Sequence, residues 1–152
     1  MLRLTLYRLL MDTKKRITFI VNPISGTQNK RGVREKIKRY IDREKFDISI
    51  VPTQYAGHAC EIAAQCASDG VDIVVAVGGD GTINETARAL VHTPTILGII
   101  PCGSGNGLAR HLQIPMDIRK AIETINLCTV ESIDYGKIND IPYFCTCGVG
   151  FD

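Results

Sequence analysis

Tryptophan is absent from the 152 residues, and aromatic residues make up only 6%. A platform that stacks nucleobases needs exposed rings, so this chain is a poor candidate for one. The net charge of +2 is neutral on that question, and no strongly basic or aromatic surface favours a nucleic-acid partner. No apolar run approaches the roughly 20 residues that span a bilayer. The cysteines are Cys60, Cys66, Cys102, Cys128, Cys145 and Cys147. None of them forms a Cys-x-x-Cys pair, which leaves zinc and dithiol chemistry without its usual spacing. Free thiols in a reducing cytoplasm are expected, with Cys145 and Cys147 as packing residues on one face of a strand. No Gly-x-x-x-x-Gly-Lys-[Ser/Thr] loop occurs, and no Gly-x-Gly-x-x-Gly follows the first strand.

What is present fits one soluble domain with one core: 45% hydrophobic and 22% charged residues. The chain is organised around Val74 to Glu85. Ile73 to Val77 is a short β-branched run, as expected of a strand covered on both faces. Gly78, Gly79 and Gly81 then surround Asp80. Glycine lets another group approach the backbone closely. Thr82 is placed to cap the following helix, with Glu85 at capping-box spacing. The free N–H groups at such a helix start suit a phosphate. Asp80 would repel that phosphate directly. Its carboxylate makes sense if it holds Mg²⁺, accepts a proton or is bridged by water.

Five leucines and two arginines mark Met1 to Lys15. This segment is too short and too charged for a signal-peptide core. It reads as an extension, and a membrane-touching role for it ranks below a frayed one. Strands are expected at Ile17 to Val21, at Phe46 to Val51 near a sheet edge, and at Thr95 to Ile100. Helices are expected at Lys30 to Ile41, His58 to Ala67, Asn84 to Val91, Leu108 to Leu112 and Asp117 to Leu127. Two further strands, Val130 to Ile138 and Tyr143 to Gly148, flank an Asn139-Asp140 turn. The cations of the first helix read as a solvated face, and His58 reads as a local cap.

Alternating strands and helices imply an α/β fold, a parallel sheet flanked by helices. In such sheets ligands bind beyond the carboxyl ends of the strands. The loops Asn22 to Gly26, Gly78 to Thr82 and Gly103 to Asn106 all follow strands, as does Thr53. All four therefore fall on one edge. Asn22, Ser25 and Gly26 offer an amide, a hydroxyl and a flexible N–H; Gly103, Ser104 and Gly105 offer a similar set.

Four pieces carry a resemblance to a known family: Asn22-Pro23-Ile24-Ser25-Gly26, Thr53 with Gly57-His58-Ala59, Gly78 to Glu85, and Pro101 to Asn106 followed by Leu108-Ala109-Arg110. From about Ile17 onward the chain resembles the catalytic domain of the diacylglycerol kinase and sphingosine kinase family, bacterial type, which is related to NAD kinases. The resemblance implies ATP and Mg²⁺ as cofactors and a lipid hydroxyl such as that of diacylglycerol as acceptor. Asn22, Ser25, Thr53, Gly79, Asp80, Gly81, Thr82, Ile83, Asn84 and Ser104 would surround the nucleotide. Gly26, Gly78, Glu85, Gly103, Gly105 and Asn106 complete the expected ATP-binding set. Asp80 would be the catalytic residue and metal ligand, and Glu85 a second carboxylate or a helix-start anchor.

The resemblance also implies an order along the chain: an extension at 1–15, the ATP-binding α/β domain at 16–138, and the start of a β-rich lipid-binding domain at 139–152. Family members usually continue into that second domain. A chain ending at Asp152 is therefore expected to fold and bind ATP but to phosphorylate lipid poorly by itself. Missing a partner domain, it should expose apolar surface and could form homo-oligomers. It is expected in the cytoplasm, at the membrane surface only during turnover. The competing readings are an NAD kinase-like enzyme and a nucleotide-binding module without catalysis.

Overall fold

The computed structural model describes residues 13–24 and 30–144, without the side chains of 30 and 31. Four strands form one parallel sheet: β1 (Lys15–Val21), β2 (Phe46–Pro52), β3 (Ile73–Gly78) and β4 (Ile96–Pro101), in the order β2-β1-β3-β4. The helices are α1 (Lys30–Tyr40), α2 (His58–Ser68), α3 (Asp80–Leu90), α4 (Gly107–His111) and α5 (Ile118–Leu127). β5 (Gly136–Ile138) and β6 (Ile141–Tyr143) form a separate antiparallel pair.

Side chains alternate across a strand, so each central strand feeds two cores. Ile17, Phe19, Val21, Ile73, Val75 and Val77 face α1 and α5, meeting Val33, Ile37, Ala121 and Ile122. Ile20 and Val74 face the other way, onto Ala59 and Ala63 of α2 and Leu90 of α3. Ala76 and Ile99 meet Ile83 of α3 with Leu108 and Ala109 of α4. Burial on both sides explains the unbroken apolar run of β3. β2 lies at an edge and alternates exposed with half-buried residues, as its sequence implied.

This strand order puts β2 on one side of β1 and β3 on the other. The helix that follows β1 lies on one face of the sheet, and the helix that follows β3 lies on the opposite face. The chain therefore diverges above β1 and β3. This is the switch point where open α/β sheets leave a crevice.

Three local expectations need correction. The helix after β3 begins at Asp80, not Asn84, and its N-cap is Gly79. Thr82 therefore sits inside the first turn, buried, and makes no capping bond. Among the described residues, only Gly136 to Ile138 of the expected strand 130–138 pairs, its partner being the short β6. The hairpin does turn at Asn139 and Asp140, with φ of 48° and 64°, the left-handed pair that a two-residue hairpin favours. β1 also starts at Lys15, one residue inside the expected extension. The expectations for residues 1–12, for Ser25 and Gly26, and for Cys145 and Cys147 lie outside the described residues.

Candidate active site at the carboxyl rim of the sheet

Parallel strands in level register deliver their following loops to one rim. Val21 pairs with both Pro52 and Val77, and Gly78 pairs with Pro101. Backbone bonds continue past the strand ends. The Thr53 N–H donates to Val21 O at 2.9 Å, Asn22 N–H to Val77 O at 3.0 Å, and Cys102 N–H to Gly78 O at 2.8 Å. The sheet thus holds the starts of all four expected loops side by side.

Helix α3 is the hub of this rim. Thr82 Oγ1 accepts from Asn22 Nδ2 at 3.1 Å, which ties in the loop after β1. Glu85 Oε1 accepts from the Gly57 N–H at 3.1 Å, tying in the loop after β2. On the other side, Asp80 Oδ2 and Oδ1 accept from the N–H groups of Asn106 at 3.0 Å and Gly107 at 2.7 Å. The acids that the sequence offered as metal or phosphate groups therefore both grip backbone amides of neighbouring loops. Asp80 remains exposed, and each carboxylate oxygen keeps a further acceptor site.

The first glycine turn stays open. No side chain caps α3, and its first internal bond runs from the Ile83 N–H to Gly79 O at 3.1 Å. The N–H groups of Asp80, Gly81 and Thr82 have no partner among the described residues. Unpartnered donors of this kind, with the positive end of the helix dipole, make an anion site. Gly81 is exposed, and a Cβ there would meet nothing within 4 Å.

The second glycine turn is closed. Asn106 is buried in the left-handed region at φ 56°. Its Oδ1 accepts from the Gly103 N–H at 3.0 Å, and its Nδ2 donates to Gly103 O at 2.6 Å. Arg110 Nε donates to Gly105 O at 2.7 Å, which puts a permanent cation beside the turn. The two turns also touch: a Cβ on Gly103 would lie 2.6 Å from Gly79 Cα, and one on Gly105 would lie 2.6 Å from Asp80 Oδ2.

Of the expected ATP-binding residues, Asn22, Thr53, Gly78, Gly79, Asp80, Gly81, Thr82, Gly103, Ser104, Gly105 and Asn106 share this rim. Ile83 points into the core, and its N–H closes the helix. Glu85 is committed to Gly57, and Asn84 is half-buried on α3. Four participants have no role in the ATP-binding set of the sequence reading, although Gly57 and Arg110 stand in its motif pieces. They are the Gly57 and Gly107 amides, Arg110, and the Tyr55 ring stacked on His58 at 4.5 Å and 14°. Backbone amides leave no mark in side-chain chemistry. The left-handed φ of 91° at Gly57 had only the glycine itself as a signal.

His58 is not the cap that was expected: the N-cap is Gly57, and His58 Nδ1 instead accepts from the Gln54 N–H of the preceding loop at 3.0 Å. Cys102, at the base of the second turn, has its thiol pushed up to about 11 by burial, against a weaker pull from Lys36. A shallow cavity of about 160 Å³ lies elsewhere, between Gly70 to Asp72 and Pro94 to Ile96 at the amino ends of the strands. It lies away from the loops that follow the strands. No helix among the described residues is long and apolar enough to cross a membrane.

Comparison with known proteins agrees with this geometry. The model of the diacylglycerol kinase catalytic domain matches residues 16–138. A diacylglycerol kinase of Bacillus subtilis is 35% identical over 140 residues, covering 90% of this chain and 46% of its own length. One from Staphylococcus saprophyticus is 33% identical over 139 residues, covering 90% and 45%. A crystal structure of a diacylglycerol kinase from Bacillus anthracis matches with a TM-score of 0.76 at 30% identity, over 85% of this chain and 44% of that one. The chain thus spans about half the length of the curated relatives it matches. By its match over 123 residues (16 through 138), its fold and its rim of glycine turns, this chain belongs to the diacylglycerol kinase catalytic domain family.

Proposed function

We propose that this chain carries the nucleotide-binding part of an ATP-dependent lipid kinase, which moves the γ-phosphate of ATP to a hydroxyl of a diacylglycerol-type lipid at a membrane surface. One observation carries the reading: the open amides of Asp80, Gly81 and Thr82 stand at the switch point of the sheet, beside an exposed carboxylate. Phosphoryl transfer depends on positioning and charge neutralisation more than on covalent chemistry. The three amides bind phosphate oxygens. Asn22 and Thr53 border them on the β1 and β2 side, and Arg110 adds positive charge on the β4 side. In an in-line displacement the lipid hydroxyl oxygen bonds to the γ-phosphorus as its proton passes to solvent, the bond from the γ-phosphorus to the β–γ bridging oxygen breaks, and ADP leaves with that oxygen.

The described residues contain no cluster of three or more His, Cys, Asp or Glu side chains able to hold a metal. That donor set fits a Mg²⁺ that arrives on the nucleotide, keeps phosphate and water ligands, and takes a single carboxylate from Asp80. When bound, Mg²⁺ would neutralise charge on the phosphates. The clamp on Asn106 and Gly107 fixes where the Asp80 carboxylate stands. Association with the membrane is peripheral in this reading. The exposed side chains of Leu127 and Val130 support self-association.

The reading is tested by titrating the purified chain with Mg·ATP and with NAD, followed by transfer of labelled γ-phosphate to diacylglycerol in mixed micelles. ATP should bind in preference to NAD, and Asp80→Asn should lower any transfer by at least about 100-fold. Absence of ATP binding in the folded wild-type chain refutes the proposal.

A further inference from the structure

Glu85 lies five residues beyond Asp80 on α3, so the two side chains leave the helix in different directions. Its carboxylate is half-buried and accepts the Gly57 N–H. Gly57 is the N-cap of α2 at φ 91°, a conformation that a side chain resists. No side chain of α2's own loop caps that helix. The Glu85 charge therefore stands at the positive end of α2 while accepting a charge-assisted bond.

The loop that Glu85 holds is stiff within itself. The Gln54 N–H meets His58 Nδ1 at 3.0 Å, and the His58 N–H meets Tyr55 O at 3.2 Å. Tyr55 Oη donates to Glu61 Oε2 at 2.6 Å, and the Tyr55 ring, 53% exposed, stacks on His58. Such a unit moves as one piece. Among the described residues, its hydrogen bonds to the rest of the rim are the Thr53 N–H on Val21 O at one end and Gly57 on Glu85 at the other. Removing the second leaves the loop held by the first and by the packing of α2 through Ala59. The stretch between them, with Tyr55, would then shift relative to the open amides of α3.

We propose that Glu85 is a positioning residue of the nucleotide site, acting through the Gly57 amide to hold the Thr53–His58 loop against α3 rather than serving as a second metal ligand. This rests on the reading of the rim as a nucleotide site. The test compares Glu85→Ala, which deletes the acceptor, with Glu85→Gln, which keeps a carbonyl acceptor without the charge. ATP affinity and amide hydrogen exchange over residues 53–58 are measured on both, beside the urea midpoint.

Glu85→Ala should weaken ATP binding about tenfold, the scale of one charge-assisted hydrogen bond. It should also raise exchange in that loop well beyond any change elsewhere. Glu85→Gln should recover ATP affinity to within about threefold of wild type. Equal ATP loss in both variants with loop exchange unchanged would show that the charge acts on metal or phosphate, and would overturn the proposal. So would an alanine variant that leaves loop exchange at the wild-type level. If wild type binds no ATP, the nucleotide reading fails, and loop exchange alone still decides whether Glu85 holds Gly57.

Discussion

Two turns of this chain look alike as sequence and behave oppositely as structure. Gly78-Gly79-Asp80-Gly81 and Gly103-Ser104-Gly105-Asn106-Gly107 both follow a buried strand and both open a helix. The first leaves its leading amides open at the start of an eleven-residue helix. In the second, the Asn106 side chain and the Asp80 carboxylate already fill the amides of Gly103, Asn106 and Gly107. The lesson concerns Asp80. A carboxylate beside a phosphate site looks self-defeating while only repulsion is considered. Here two backbone N–H groups from the neighbouring loop hydrogen-bond its two oxygens and hold it in place. The closed turn thus supports the open one.

The comparison can be broken most directly at its glycines. Gly103→Ala should cost about 1–3 kcal/mol in urea unfolding, because the added methyl meets the backbone of Gly79 at 2.6 Å. Gly81→Ala should leave stability unchanged or raise it by up to about 1 kcal/mol, since alanine suits a helix better and the space is open. The same methyl should weaken ATP binding by crowding the open amides. Equal destabilisation by both substitutions would erase the distinction between a packing glycine and an access glycine.

Asn106→Ala should have a somewhat smaller effect. It deletes two hydrogen bonds to Gly103, which together contribute about 2 kcal/mol. Hydrogen exchange at Gly103 should rise, while exchange in the 53–58 loop stays unchanged.

The smallest effect sharpens the picture of the second turn's base. Burial lifts the Cys102 thiol from 9.0 to about 11, so at pH 8 its thiolate fraction is about 100-fold below that of an unhindered thiol. Alkylation by iodoacetamide, followed by mass spectrometry of the Cys102 peptide, should be slower by at least that factor until urea unfolds the chain. The linked stability has a definite sign. Above pH 9 the unfolded chain loses this proton first, so the contribution of the buried thiol falls as pH rises towards 11.

The fold was largely legible because burial on both faces writes itself into composition. Ile73 to Val77 is apolar without interruption and Ile17 to Val21 is broken only by the buried Thr18, whereas Phe46 to Val51 alternates, and these are the central and edge strands respectively. The helix start at Asp80 was not legible. Thr82 looked like a cap by residue type, yet its hydroxyl accepts a bond from Asn22, which lies 60 positions earlier in the chain. The strand expected at Val130 to Ile138 shortened for the converse reason. Strand-like residues need a partner, and among the described residues only Gly136 to Ile138 pair.

The sequence alone determined which loops follow strands, and therefore that Asn22, Thr53, Asp80 and Ser104 would gather on one rim. That outcome follows from hydrophobic periodicity, which is local, and from the alternation of strands with helices, which implies a parallel sheet. Tertiary structure decided what those residues do to each other. Whether an amide is open or filled, and whether a carboxylate faces a ligand or a neighbouring loop, depends on distances of about 3 Å between segments far apart in the chain. Only the packed sheet sets those distances.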